Sequence, residues 1–226
     1  MSAPHVSGHD VTWNVAQFPA SLVLALLTAA LWAQQPASPS RTPARAKSSA
    51  AIESGAIHDG IYHNAFFGFS YKLPFGWVDR TREMHDDASG SSNDAGKSLL
   101  LLAVFERPPE ATGDSINSAV VIAAERLSAY SGMKTAADYF GPLSELAIAK
   151  GFKAEDDPHQ VSVGTTHLVR GDFSKARGTL TMRQSSLVML EKGYAVSFTF
   201  IAGSEDEMTE LIEKLSFTKK SGAATP

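Results

Sequence analysis

The chain has 226 residues, 43% of them apolar, with a formal net charge of −4, a balance that allows one well-buried domain with appendages and excludes wholesale disorder. Residues 57–218 carry 15 Lys and Arg against 22 Asp and Glu, a net of −7, without any basic stripe; such a surface repels phosphate backbones and excludes nucleic acid as a partner. Cysteine is absent, which excludes disulfides, thiolate metal sites, a cysteine nucleophile and a lipid-modified N-terminal cysteine.

The first element is an address. From Ala20 to Ala33 the chain reads ASLVLALLTAALWA, fourteen residues without a charge. A bilayer-spanning helix needs about 20 apolar residues and a signal-peptide core about 7–15. Residues 1–33 are therefore expected to be a secretory signal cleaved after Ala33, or after Ala30. The region before the apolar core departs from the usual signal in carrying Asp10 and no Lys or Arg. The alternative is an uncleaved anchor, but Arg41, Arg45 and Lys47 lie on the wrong side of it for the positive-inside bias. Export to the periplasm or the extracellular space, with no integral span after processing, is the expected outcome. Residues 34–56 are rich in Pro, Ser, Ala and Gln and read as a disordered linker, and 219–226 as a loose tail.

Residues 57–218 read as one domain. In 67–73 the apolar Phe67, Phe69, Tyr71 and Leu73 alternate with Gly68, Ser70 and Lys72, the period of a strand with one face in a core. Pro74 and Gly76 stop it, and Trp77 re-enters the interior. Residues 83–97 are polar and rich in Gly, Ser and Asp, and read as a loop. The run 99–105 is continuously apolar, as in a strand covered on both faces, and ends at Pro108-Pro109. Residues 118–124 are a second apolar strand, or a short helix. A helix opens at Thr135 with Tyr139, Phe140, Leu143, Leu146 and Ala147 at helical spacing; Pro142 kinks it or moves its start to about Gly141, and Gly151 ends it. Strands follow at 166–173, 180–190 and 194–202, the last pair joined in a hairpin by Lys192-Gly193. In the last strand Tyr194, Val196, Phe198 and Phe200 share one face, and Ala195, Ser197, Thr199 and Ile201 the other. Ser204 caps a final helix with Glu207 completing a capping box, and Met208, Leu211, Ile212 and Leu215 form its buried stripe, with Phe217 folding in behind. The order predicts an α+β fold, a largely antiparallel sheet sandwiched with helices.

The opening Asn64-x-x-x-Gly68-Phe69-Ser70-Tyr71-Lys72-Leu73-Pro74-x-Gly76-Trp77 resembles that of the PsbP-like group. So does the ending, from Gly193-Tyr194-Ala195-Val196-Ser197-Phe198-Thr199-Phe200 through Ser204-Glu205-Asp206-Glu207 to Phe217. The group is named for an extrinsic photosystem II protein and includes many small exported bacterial proteins. The resemblance covers about 160 residues and rests on fold motifs. It implies an α/β/α sandwich and, as a rule, no enzymatic activity; it supplies no catalytic residues, and no photosystem-specific feature carries a photosynthetic role over.

Residues that could carry chemistry are few. Ser131-Gly132-Met133-Lys134 fits the S-x-x-K of serine acylases, where Lys assists deprotonation of a Ser one helical turn away, but the companion S-D-N and K-T-G elements are absent. Asp156, Asp157 and His159 gather ligand types for a divalent cation, with Pro158 pointing to a solvated turn instead; His85, Asp86 and Asp87 are a similar group. His58, His63 and His167 are scattered, and Tyr71 and Trp77 read as core rather than as a ligand groove. No G-x-S-x-G, H-E-x-x-H, P-loop or G-x-G-x-x-G occurs. The expectation is a non-catalytic exported domain without cofactor or metal that binds or steadies a protein of the cell envelope. The alternative is a hydrolase, using Ser131 and Lys134 or Asp156, Asp157 and His159.

Overall fold

The structure is a computed structural model that describes residues 54–85, 98–108, 110–111, 113–130 and 132–218. The expected signal, the linker before residue 54, the tail, Asp86, Asp87 and Ser131 lie outside the described residues. Alternating apolar runs separated by turn residues fold into two antiparallel sheets. The larger takes β4 (Val78–Asp79), β5 (Ser98–Phe105), β6 (Ala119–Arg126), β7 (Lys153–Ala154), β8 (His159–Val163), β9 (Thr166–Arg177), β10 (Leu180–Glu191) and β11 (Tyr194–Ala202). Its order is β4-β5-β6-β11-β10-β9, with β7 and β8 pairing successive stretches of the outer edge of β9. The smaller has the order β1-β2-β3-β12, from β1 (Ala56–His58), β2 (Ile61–Asn64), β3 (Phe69–Lys72) and β12 (Leu215–Phe217).

Alternation sorts β11 into two faces, and both are buried. On the first, Tyr194, Val196, Phe198 and Phe200 pack with Val120 and Ile122 against the small sheet and the helix α2 (Glu205–Glu213). Aromatic pairs join the sheets: Phe69 meets Phe198 edge-on at 4.9 Å, Phe67 meets Tyr194 at 5.4 Å, and Tyr71 lies 6.1 Å from Phe200. Tyr71 also donates its hydroxyl to Leu211 O at 3.2 Å. On the second face the helix α1 (Phe140–Ala149) sets Phe140, Leu143 and Ala147 over Val169, Phe173 and Val188. Gly171 of β9 makes room for it, since a Cβ there would stand 2.5 Å from the Phe140 ring. Beyond this cluster, Met84, Phe105, Ile116 and Ile201 form another. Helices thus lie on opposite faces of the large sheet, α2 sharing its layer with the small sheet. Among the described residues no helix is long and apolar enough to cross a membrane.

The structure changes several expected boundaries. The first aromatic strand is shorter, because residues 65–68 form a turn in which Gly68 N donates to Asn64 O at 2.8 Å and Gly68 takes φ 73. It also belongs to the second sheet, which the run of single strands did not predict. Residues 118–124 are strand, not helix, since β6 is central and covered on both faces. Residues 83–85, expected in a loop, lie in a helical stretch over 81–85 that buries Met84. α1 starts at Phe140, not Thr135, which puts Pro142 in the first turn, where its missing N–H costs nothing. It ends in a Schellman motif: Gly151 at φ 84 donates to Ile148 O at 2.9 Å and Phe152 to Ala147 O at 3.0 Å, and Phe152 buries against the same cluster. Ser204 caps α2, accepting from Glu207 N at 3.2 Å, while the Glu207 carboxylate reaches back to Gly203 N at 2.9 Å. Leu215 is not on that helix; it is the first residue of β12, buried in the same core.

Candidate functional site

At one end of the molecule a groove of about 1410 Å³ opens between four connections. The first is the turn 65–68, where Asn64 Oδ1 accepts from Phe67 N at 2.8 Å. The second is the turn over 135–138, tied by Asp138, whose carboxylate accepts from Lys134 N at 2.9 Å and Thr135 N at 2.8 Å. Those two N–H donors, Lys134 first, hold the Asp138 carboxyl below the usual carboxylate range. The third is the β8–β9 hairpin. The fourth is the β10–β11 turn, where Lys192 and Gly193 both take positive φ, 51 and 81, the primed turn that matches strand twist. Lys192 then spans two of these connections: its ammonium donates to Phe66 O and lies 4.7 Å from the centre of the Phe66 ring. The floor is apolar, from Phe67, Leu168 and Met189, and the rim carries His159, His167 and Lys192.

β8 is the outermost strand here. It pairs with β9 over His159–Val163 and has no strand partner on its other side among the described residues. His159 and His167 both border the groove but sit three register steps apart, and so on opposite faces of the hairpin. His167 Nδ1 lies 3.0 Å from Ser162 Oγ.

The structure separates the other polar residues singled out by sequence. Lys134 is exposed in an irregular stretch, and its companion Ser131 lies outside the described residues. Asp156 and Asp157 are exposed in the connection from β7 to β8, whereas His159, expected in the same turn, begins β8, its Nδ1 3.3 Å from Asp157 O. Among the described residues no three His, Asp or Glu side chains gather as a metal would require. His85 is exposed at 81–85; His58 pairs with Asp59 at 2.8 Å, and His63 Nδ1 stands 2.8 Å from Ser70 Oγ. Tyr71 is core, 0% exposed, and Trp77 is half-buried against the same cluster. Zinc or calcium at sub-millimolar concentration should leave the melting temperature of the chain, and of a variant with Asp156, Asp157 and His159 all replaced by Ala, unchanged. A rise lost in the variant would place a metal there.

A cluster that the sequence reading passed over lies beneath α1. Glu125, near the end of β6, is 2% exposed, and Tyr130 donates its hydroxyl to Glu125 Oε2. Tyr139, the N-cap residue of α1, is fully buried beside it. Burial lifts the Glu125 carboxyl to about 7 against the opposing pull of the two tyrosine hydroxyls. Burial, and then the nearby Glu125 charge, push the Tyr139 phenol well above its ordinary range. The available signal was an acidic residue closing an otherwise apolar strand, with two tyrosines in the next fourteen residues.

No protein-family model and no curated protein matches the chain. Among solved structures it is similar to the cyanobacterial PsbP (CyanoP) of Synechocystis sp. PCC 6803, at 13% identity over 70% of this chain and 91% of that one, TM-score 0.43. LpqN of Mycobacterium tuberculosis, involved in cell envelope biogenesis, aligns at 14% identity over 66% and 83%, TM-score 0.36. A protein of unknown function, PA94 of Pseudomonas aeruginosa, aligns at 16% over 46% and 75%, TM-score 0.33. These likenesses concern the fold alone and assign no family.

Proposed function

We propose that the chain is an exported, non-catalytic domain of the PsbP-like kind, and that its end groove receives an extended segment of a protein in the cell envelope. The observation that carries the reading is the groove itself, with an apolar floor beside the edge of β8 that has no strand partner among the described residues. An extended peptide laid there would gain main-chain hydrogen bonds from the edge and alternate side-chain contacts from the floor. Export rests on the apolar stretch 20–33, and the PsbP-like kinship on the residues quoted from both ends of the domain. The hydrolase alternative draws no support from an exposed Lys134 or from the exposed Asp156, Asp157 and His159.

The test is site-specific photocrosslinking in the native envelope. A benzoylphenylalanine in place of His167, on the groove rim, is expected to yield a discrete protein adduct. The same group in place of Leu180, which starts β10 beyond the β9–β10 turn, is expected to yield none. Equal labelling from both positions, or none from 167, would count against the groove.

A further inference from the structure

One wall of the groove is built by Thr135, Ala136 and Ala137, and these belong to a segment moored at both ends to one buried carboxyl. Tyr130 binds Glu125 from the near end and Tyr139 stands against it at the far end. The mooring is only half satisfied: the Tyr139 hydroxyl stands near enough to favour the charged carboxyl, but neither it nor Glu125 Oε1, both buried, meets a partner at full hydrogen-bond geometry among the described residues. A neutral carboxyl tolerates such a setting. A carboxylate does not, because a buried charge needs several donors or a cation.

Among the described residues no cation shifts this carboxyl, and two tyrosines are the donors that reach toward it. The loop after β6 offers Tyr130, and the start of α1 offers Tyr139. On β5 the register partner is Ser98, on β11 it is Ala195, and Ser197 lies on the next rung; none of the three titrates. Arg126 is turned to the other side, its guanidinium 4.8 Å from the Tyr194 ring centre. Lys134 and Asp138 are exposed.

We infer that Glu125, Tyr130 and Tyr139 form a proton-operated latch: the protonated carboxyl seats residues 132–139 on the sheet, and its ionisation releases them together with that wall of the groove. The lifted carboxyl places release near neutral pH. The consequence for binding rests on the proposed role of the groove; the latch does not.

Hydrogen exchange of the free full chain at pH 6 and pH 8.5, corrected for the intrinsic rate, tests it. Peptides from 132–139 are expected to lose protection about tenfold at the higher pH and, because they open locally, to be less protected than β11 at both values. In Glu125→Gln, which cannot ionise, protection should be the same at both values. Tyr130→Phe removes a hydrogen bond that favours the carboxylate, so release should move to higher pH. Constant protection in the unmodified chain overturns the latch, as does a loss that persists in Glu125→Gln, or protection of 132–139 equal to that of β11, which would make the opening global. Should Glu125→Gln not fold, an unshifted release in Tyr130→Phe overturns it alone. Exchange as expected, with no adduct from position 167, would refute the groove and leave the latch standing.

Discussion

Replacing Phe198 by Ala is expected to cost about 3–5 kcal/mol of unfolding free energy, measured by denaturant titration. Phe198 is fully buried at the centre of β11, where its ring meets Phe69 at 4.9 Å and Phe217 at 5.8 Å. Truncation removes apolar contact with both sheets at once and leaves a cavity between two rigid layers that cannot collapse into it. Thr199→Ala, one residue on, faces the opposite layer. Its hydroxyl lies 3.3 Å from Ser186 Oγ, and losing it should cost only about 1 kcal/mol. Equal losses at the two positions would mean that the ring does not join the sheets as described.

The second large effect is a pH slope in global stability. Below about pH 4.5 Glu125 is protonated in folded and unfolded chains alike, and its environment makes no difference. As pH rises from 4.5 toward 7, the unfolded chain ionises while the folded one holds its proton. Stability therefore falls across that window, by about 3 kcal/mol in total, and levels off above it. Glu125→Gln keeps an acceptor for Tyr130 but does not titrate. Its unfolding midpoint should be flat across the window and should exceed that of the unmodified chain at pH 8. A midpoint that rises between pH 5 and pH 7 in the unmodified chain, or a slope unchanged by the substitution, would remove Glu125 as its source.

The strands and their faces were legible in the sequence because burial imposes a period. Tyr194, Val196, Phe198 and Phe200 could only alternate, and β11 runs over the expected residues. Helix ends with chemical markers were legible too: Ser204 and Gly151 act as their residue types require. What stayed hidden depends on contacts far apart in the chain. Nothing local announces that 69–72 and 215–217 pair with each other in a second sheet, or that Leu215 leaves its helical stripe for a strand. The groove was hidden for the same reason, since turns at 65–68, 135–138, 164–165 and 192–193 meet only in the folded molecule. Glu125 was missed because its period fits a strand equally well whether its carboxyl is solvated or buried.

That late pairing bears on how the chain comes to be folded. Among the described strands β3 is made early and β12 last, yet each supplies an edge that the other needs. The small sheet cannot close, nor the aromatic rings of Phe69 and Phe217 meet, until nearly the whole domain has been synthesised. Pairings of such long sequence separation form slowly, because the loop between them must be closed before any contact rewards it. Consecutive strands such as β9, β10 and β11 can pair as they emerge, but the small sheet takes its final shape only once β12 arrives.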